Sequence, residues 1–216
     1  MRTAGTTRRF LADPVSDEAL HRALDNARFA PNGGNRQGWH VIVVEDPGVR
    51  RELHDLYQPH WKAYLAERYG IREGEPEPPD LPLNVRRSME FADHLAEVPV
   101  HLLVSVDLGA LAVTDRNLPR QSIVGGGSVY PFVQNLLLAF REEGLGAALT
   151  TLIIPAEAKV KELLAIPPQH ALAALVAVGH PAGPLPTKLR RKEVEEFTTR
   201  DRFDGERFVL SPRTGD

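Results

Sequence analysis

Three polar clusters, far apart in the chain, hold the residue types that chemistry needs. Thr6, Thr7, Arg8 and Arg9 stand before Phe10 near the N-terminus, and Lys188, Arg190, Arg191 and Lys192 form a basic knot near the other end. Guanidinium groups grip phosphate oxygens bidentately and hydroxyls add further donors, so the two clusters together suit a phosphate. Taken singly, each also reads as a solvated charged segment. Between them lies "FAPNGGNRQGW", residues 29–39. Adjacent glycines let a backbone approach a flat ligand closely, and the amides of Asn35 and Gln37 supply donors and acceptors. The plainer reading makes Gly33-Gly34 a turn and Trp39 a packed core residue.

Other signals fall short. "GLG" at 144–146 follows a helical pattern and precedes a strand, the reverse of a dinucleotide-binding turn. "GGGS" at 125–128 lacks the lysine of a phosphate loop, and Ser128 does not complete a nucleophile elbow. His54 and His60 are not spaced as a helical ligand pair, so no metal site is expected. No general acid or base stands out. With no cysteine, disulfides, thiolate zinc, cysteine-held iron–sulfur clusters and a cysteine nucleophile are excluded.

The elements that position these clusters come next. The chain has 216 residues, 42% hydrophobic and 25% charged, which fits a chain with a real core. A net charge of −3 gives no basic excess for nucleic acid. No apolar run reaches the length of a membrane span, and "MRTAGTTRRF" does not read as a secretory signal, so the expected setting is cytoplasmic. Leu20, Ala23, Leu24 and Ala27 recur at helical spacing behind the N-cap Ser16. "HVIVVE" (40–45) reads as a strand, and Asp46-Pro47 opens a helix toward Tyr57 that Pro59 breaks or kinks. A proline-rich excursion follows, then a helical pattern from Val85 to Ala96 and the strand "VHLLVSV" (100–106). Val129, Phe132, Val133, Leu136, Leu137 and Phe140 form the clearest helical stripe, with Ser128 as its cap and Gly144 as its stop. A strand near 147–151, a short helix behind Pro155 and the strand "ALAALVAVG" (171–179) complete the series, the last apolar on both faces and hence central. These patterns predict one α+β domain over 1–216, with helices on a small sheet, a lid excursion at 58–95 and a tail at 197–216.

In this order the pieces resemble the nitroreductase family of flavoproteins. "TTRRF", "DPVSDEALHRALDNARFAPNGGNRQGWHVIVV", "VQNLLLAFREEGLGAALTT", "VKELLAIP", "ALVAVGHP" and "LRRKEVEEF" carry the resemblance over nearly the whole chain. It implies a mostly antiparallel central sheet flanked by helices, in an intertwined homodimer with FMN at the subunit interface. It also implies hydride taken from NADH or NADPH and electrons passed in ping-pong fashion to a small organic acceptor of nitroaromatic, quinone or enone type. No protein residue would be catalytic, because the flavin does the redox chemistry. By the same resemblance Arg8 and Arg191 bind the FMN phosphate, with Thr6 as a hydroxyl donor, and Arg2, Arg9 or Lys188 is the candidate to replace a further early cation that the chain lacks. Pro31, Asn32 and Gly33 run beside the ring, and Asn35 and Gln37 bond ribityl or ring atoms. Leu149, Thr150 and Thr151 reach the other side of the ring with backbone N–H groups.

Three features depart from the family's pattern. Ala4-Gly5-Thr6 stands where Arg-Arg-Ser is expected, Asn32 replaces a serine, and Gly38 replaces a proline, which is expected to loosen the end of the loop. The alternatives are a flavin-binding carrier or sensor without turnover, and a reductive dehalogenase or flavin-destructase-like relative.

Overall fold

A computed structural model of the chain describes residues 1–76 and 78–210. Helix α1 (Asp17–Ala27) starts where Ser16 Oγ accepts from Ala19 N, with Asp17 and Glu18 at its positive end. It leads into β1 (Trp39–Val44) and then α2 (Pro47–Tyr69), which Asp46 caps through Val49 N. Pro59 does not end α2. Leu53, Tyr57, Trp61 and Leu65 recur every fourth residue across it and are all buried, so packing of this stripe outweighs the ~3 kcal/mol that an interior proline costs. The helix stops instead at Gly70, in the left-handed conformation.

Helix α3 (Leu83–Asp93), β2 (Val100–Asp107), α4 (Tyr130–Glu142), β3 (Gly146–Thr150), α5 (Glu157–Leu163) and β4 (His170–Gly179) follow. Pro131 sits in the first turn of α4, as expected, and Gly144 with φ 75° follows its end. Ser128 does not cap α4: the residue before the helix is Val129, and Ser128 closes the short 3₁₀ stretch Val124–Ser128. No helix among the described residues is long and apolar enough to cross a membrane.

All pairings are antiparallel and the sheet order is β1-β2-β4-β3. Both faces of the two central strands are covered: β4 is apolar on both from Ala171 onward, while β2 is apolar on one and buries His101 and Ser105 beside Leu103 on the other. Val100, Leu102, Val104 and Val106 of β2 join Leu20, Ala23, Phe132, Val133 and Leu136 in the core under α1 and α4. Leu103 of β2 joins Leu53, Tyr57, Phe91, Val160 and Leu175 in the core under α2, α3 and α5. The period-two alternation of the strands thus sorts the side chains into two cores, one per face. A bulge shifts the β2–β4 register between Val104 and Ser105.

The first residues are tied to the far edge of the sheet. Thr7 N donates to Ala147 O of β3, Leu11 N to His180 O, and Ala182 N to Arg9 O. Gly146 makes room for this, since a Cβ there would lie 2.6 Å from Thr7 Cγ2.

Candidate functional site

The loop before β1 is held in an unusual shape. Gly34, Asn35 and Gln37 have φ of 64°, 53° and 49°. Glycine adopts this region freely and asparagine tolerates it, but a glutamine there is strained and needs support. The support is local. Asn32 Oδ1 accepts from Gln37 N at 2.9 Å, and Asn32 Nδ2 donates to Ala30 O at 3.2 Å. Gly33 N donates to Ser128 Oγ at 3.1 Å. Downstream, Gly38 O accepts from Asp107 N, and Trp39 stacks on Phe132 with centroids 4.8 Å apart. Pro31, Asn35 and Gln37 are exposed, so the loop presents two side-chain amides outward.

Gly38 does not loosen the end of this loop. A Cβ at Gly38 would come within 2.5 Å of Ala110 Cβ. Glycine is needed there because the chain passes directly against the segment after β2.

A second set of groups gathers at the opposite edge. Arg8 lines a cavity of about 270 Å³ with Thr6, Thr7, Arg9 and Arg87. Burial, and next the neighbouring Arg87 guanidinium, lower the Arg8 pKa, while Tyr57 acts the other way. Neither Arg8 nor Arg87 has a carboxylate partner among the described residues. Two cations side by side without a counterion form a ready anion site. Arg9 differs, because it pairs with Glu90 at 3.4 Å. Behind Arg8, burial pushes the Tyr57 phenol up to about 12, partly offset by Thr150 and Arg8. Thr150 Oγ1 accepts from Leu152 N at 3.3 Å.

The end of β3 belongs to this edge. Ala147 O faces outward to Thr7 N, so Leu149, two residues on, turns its backbone N–H and C=O the same way. Leu149 is half-exposed and lines a small cavity with Thr6, Leu137 and Arg141. Thr151 is exposed just past the strand. Arg191 lies elsewhere, in an open cleft lined also by Arg2, Gln134, Lys188, Arg190 and Lys192. That segment is coil, and the element after it is a single 3₁₀ turn, Val194–Glu196, with Glu193 and Glu196 forming a capping box.

Sequence reasoning therefore located the groups but not their arrangement. Thr6, Arg8, Leu149 and Thr150 come together, Pro31 to Gln37 form a separate wall, and Arg191 lines a different cavity from Arg8. Arg87, Tyr57 and Ser128 were missed as members of the site. Arg87 sits in a helical pattern whose partners lie far away in sequence, and Tyr57 reads simply as core. Ser128 was read as a helix cap, the commonest use of serine at such a place.

The two walls are far apart in one chain. The loop precedes β1 and Thr150 ends β3, and these are the two outer strands of β1-β2-β4-β3. Three inter-strand steps of ~4.8 Å separate them sideways. Thr150 is level with Leu175, Leu103 and Ile42, four residues beyond Gly38 on β1. At ~3.4 Å per residue the diagonal is roughly 20 Å.

Known proteins are similar to this chain in sequence and fold. The model of the Nitroreductase family matches residues 2–180. An iodotyrosine deiodinase of Thermotoga neapolitana is 27% identical over 195 residues, covering 90% of this chain and 93% of its own. An NADH dehydrogenase of Thermus thermophilus is 28% identical over 202 residues, covering 81% of this chain and 82% of its own. A crystal structure of oxidized iodotyrosine deiodinase bound to FMN and 3-iodo-L-tyrosine superposes with a TM-score of 0.68 at 26% identity, covering 91% of this chain and 96% of the other.

Proposed function

Since the chain belongs to the nitroreductase family, we propose that it is an FMN-dependent oxidoreductase. It takes hydride from NADH or NADPH and passes electrons by ping-pong chemistry to a small organic acceptor of nitroaromatic, quinone or enone type. The carrying observation is the separation of the two walls across the sheet, roughly 20 Å from the register. A homodimer resolves it, with the loop of one protomer facing the β3 edge of its partner, so that each flavin lies at the interface.

The residues present fit FMN. The glycines of the loop let the backbone come close to a flat ring, and Asn35 and Gln37 offer amides. Arg8 and Arg87 supply positive charge without a competing carboxylate, and Thr6 adds a hydroxyl. Arg87 offsets the missing early arginine pair, while Arg9 is largely occupied by Glu90. Leu149 aims a backbone donor out of the sheet edge, with Thr150 and Thr151 beside it. Arg191, with Arg2 and Lys188, lines a separate open cleft, which leaves Arg8 and Arg87 as the paired cations for the phosphate. When bound, FMN supplies the two-electron chemistry, and the protein contributes position, charge and exclusion of water.

Fluorescence titration of the apoprotein with FMN tests the proposal. One FMN per chain, followed by NAD(P)H-driven reduction of a quinone or nitroarene, supports it. FMN bound without turnover points to a carrier or sensor. Iodide release from 3-iodo-L-tyrosine, with no reduction of other acceptors, redirects the reading to dehalogenation, the chemistry named in the deiodinase relatives.

A further inference from the structure

Among its side chains the loop before β1 contains one that does not face outward as a ligand group would. Asn32 is half-buried, and both ends of its amide are used within the loop, on Gln37 N and Ala30 O. Its carbonyl Oδ1 holds the residue that most needs holding, because Gln37 sits at φ 49°. The Gly33 N–H is also unavailable to a ligand, since it points into the protein at Ser128 Oγ.

Ser128 is itself fixed from behind. The Asp115 carboxylate is buried in the segment after β2, where it accepts from Ile123 N at 2.9 Å, Ser122 Oγ at 2.7 Å and Arg120 Nη1 at 2.8 Å. Those donors, the Ile123 N–H first, hold its pKa well below the usual carboxylate range. This knot fixes the start of the 3₁₀ stretch Val124–Ser128 that delivers the serine hydroxyl. Gly125 passes close to Val113, where a Cβ would lie 3.3 Å from Val113 Cγ2.

We propose that Asn32 and Ser128 are positioning residues that clamp the 31–38 loop with Gly34, Asn35 and Gln37 in the left-handed region, so that the Asn35 and Gln37 amides, and not the Gly33 N–H, meet the cofactor. The role toward FMN rests on the proposed function; the clamp itself does not. In this account Asn32 is a brace in place of a ligand. Its extra length over the family's serine is what spans the loop to Gln37 N. A serine hydroxyl, one carbon shorter, does not reach that amide without the loop closing further. The strain at Asn35 and Gln37 is held before any ligand arrives, which lowers the ordering cost of binding.

Hydrogen exchange of the apoprotein over residues 30–38, followed by FMN titration, tests this with Asn32→Ala, Asn32→Ser, Ser128→Ala and Ser128→Thr. The expected result is faster exchange at Gln37 in both Asn32 variants and at Gly33 in Ser128→Ala, with Ser128→Thr near wild type. FMN affinity falls about three- to tenfold in the first three, the scale of one lost hydrogen bond. The visible band of the flavin also shifts in them, whereas a general loss of stability leaves it in place, and circular dichroism checks that each variant is folded. Wild-type exchange at both amides overturns the clamp. Faster exchange with unchanged FMN affinity and an unshifted band overturns its role toward the cofactor. If the wild-type protein itself refuses FMN, the proposed function fails, and the exchange rates alone decide the clamp.

Discussion

A site built from two copies should be repairable by mixing two broken ones. Each protomer carries one loop wall and one β3-edge wall, roughly 20 Å apart across the sheet. A loop variant, Asn35→Ala with Gln37→Ala, removes two side-chain amides. An edge variant, Arg8→Ala with Arg87→Ala, removes two cations. Two neutral hydrogen bonds at about 0.5–1.5 kcal/mol each weaken FMN binding by roughly ten- to a hundredfold, and two charge-assisted ones weaken it further. Each variant alone should therefore stay mostly empty at the FMN concentration that just fills the wild type. Co-expression with two different tags, then purification over both, isolates the mixed dimer. In it, one site pairs the intact loop of one chain with the intact edge of the other, and the second site carries every substitution. The mixed dimer should hold about half the FMN of the wild-type dimer, read from its visible absorbance. A mixed dimer as empty as its parents would refute the shared site, because walls belonging to one chain cannot rescue each other.

Three further outcomes follow from local geometry. Gly38→Ala should destabilise the protein by about 1–3 kcal/mol in urea unfolding, because its Cβ meets Ala110 Cβ at 2.5 Å; wild-type stability would show that the segment after β2 yields freely. His101 is fully buried, its Nε2 bonded to Leu95 O and its Nδ1 without a partner, and burial pushes its pKa down to about 4. Its neutral form thus favours the fold fully above pH ~6.5, and about 3 kcal/mol is lost as pH falls from there toward 4; His101→Gln should flatten that slope in unfolding measured against pH. Arg22→Ala removes an exposed pair with Glu143, bonded at 2.7 Å, and should lower stability only slightly, a loss that shrinks further in high salt.

Local signals carried much of the fold. Ser16, Asp46 and Gly144 marked helix ends where the structure has them, and the strands read near 40–45, 100–106, 147–151 and 171–179 are the four strands of the sheet. What local signals missed was decided by distant partners. Pro59 lies inside α2 because the stripe from Leu53 to Leu65 packs continuously into the core shared with α3, α5 and the sheet, and a window around the proline does not see those partners. Ser128 serves Gly33, ninety-five positions away, in preference to the helix beside it. Gly38 reads as slack by itself and as tight only once Ala110 lies against it. Of the candidate site, the loop and Arg8 stood out in the sequence as residue types. Their placement on opposite edges was not, because strand order depends on which strands pair, and residue order does not dictate that.

The central claim is that this chain binds FMN and reduces it with a nicotinamide donor. Its most direct test is to load the protein with FMN, remove oxygen, add NADH or NADPH and follow the visible flavin absorbance in a stopped-flow instrument. The account predicts that the yellow colour bleaches at a rate that depends on donor concentration and returns when a quinone or nitroarene is added. Protein that will not take up FMN, or bound FMN that keeps its colour with both donors, would contradict it.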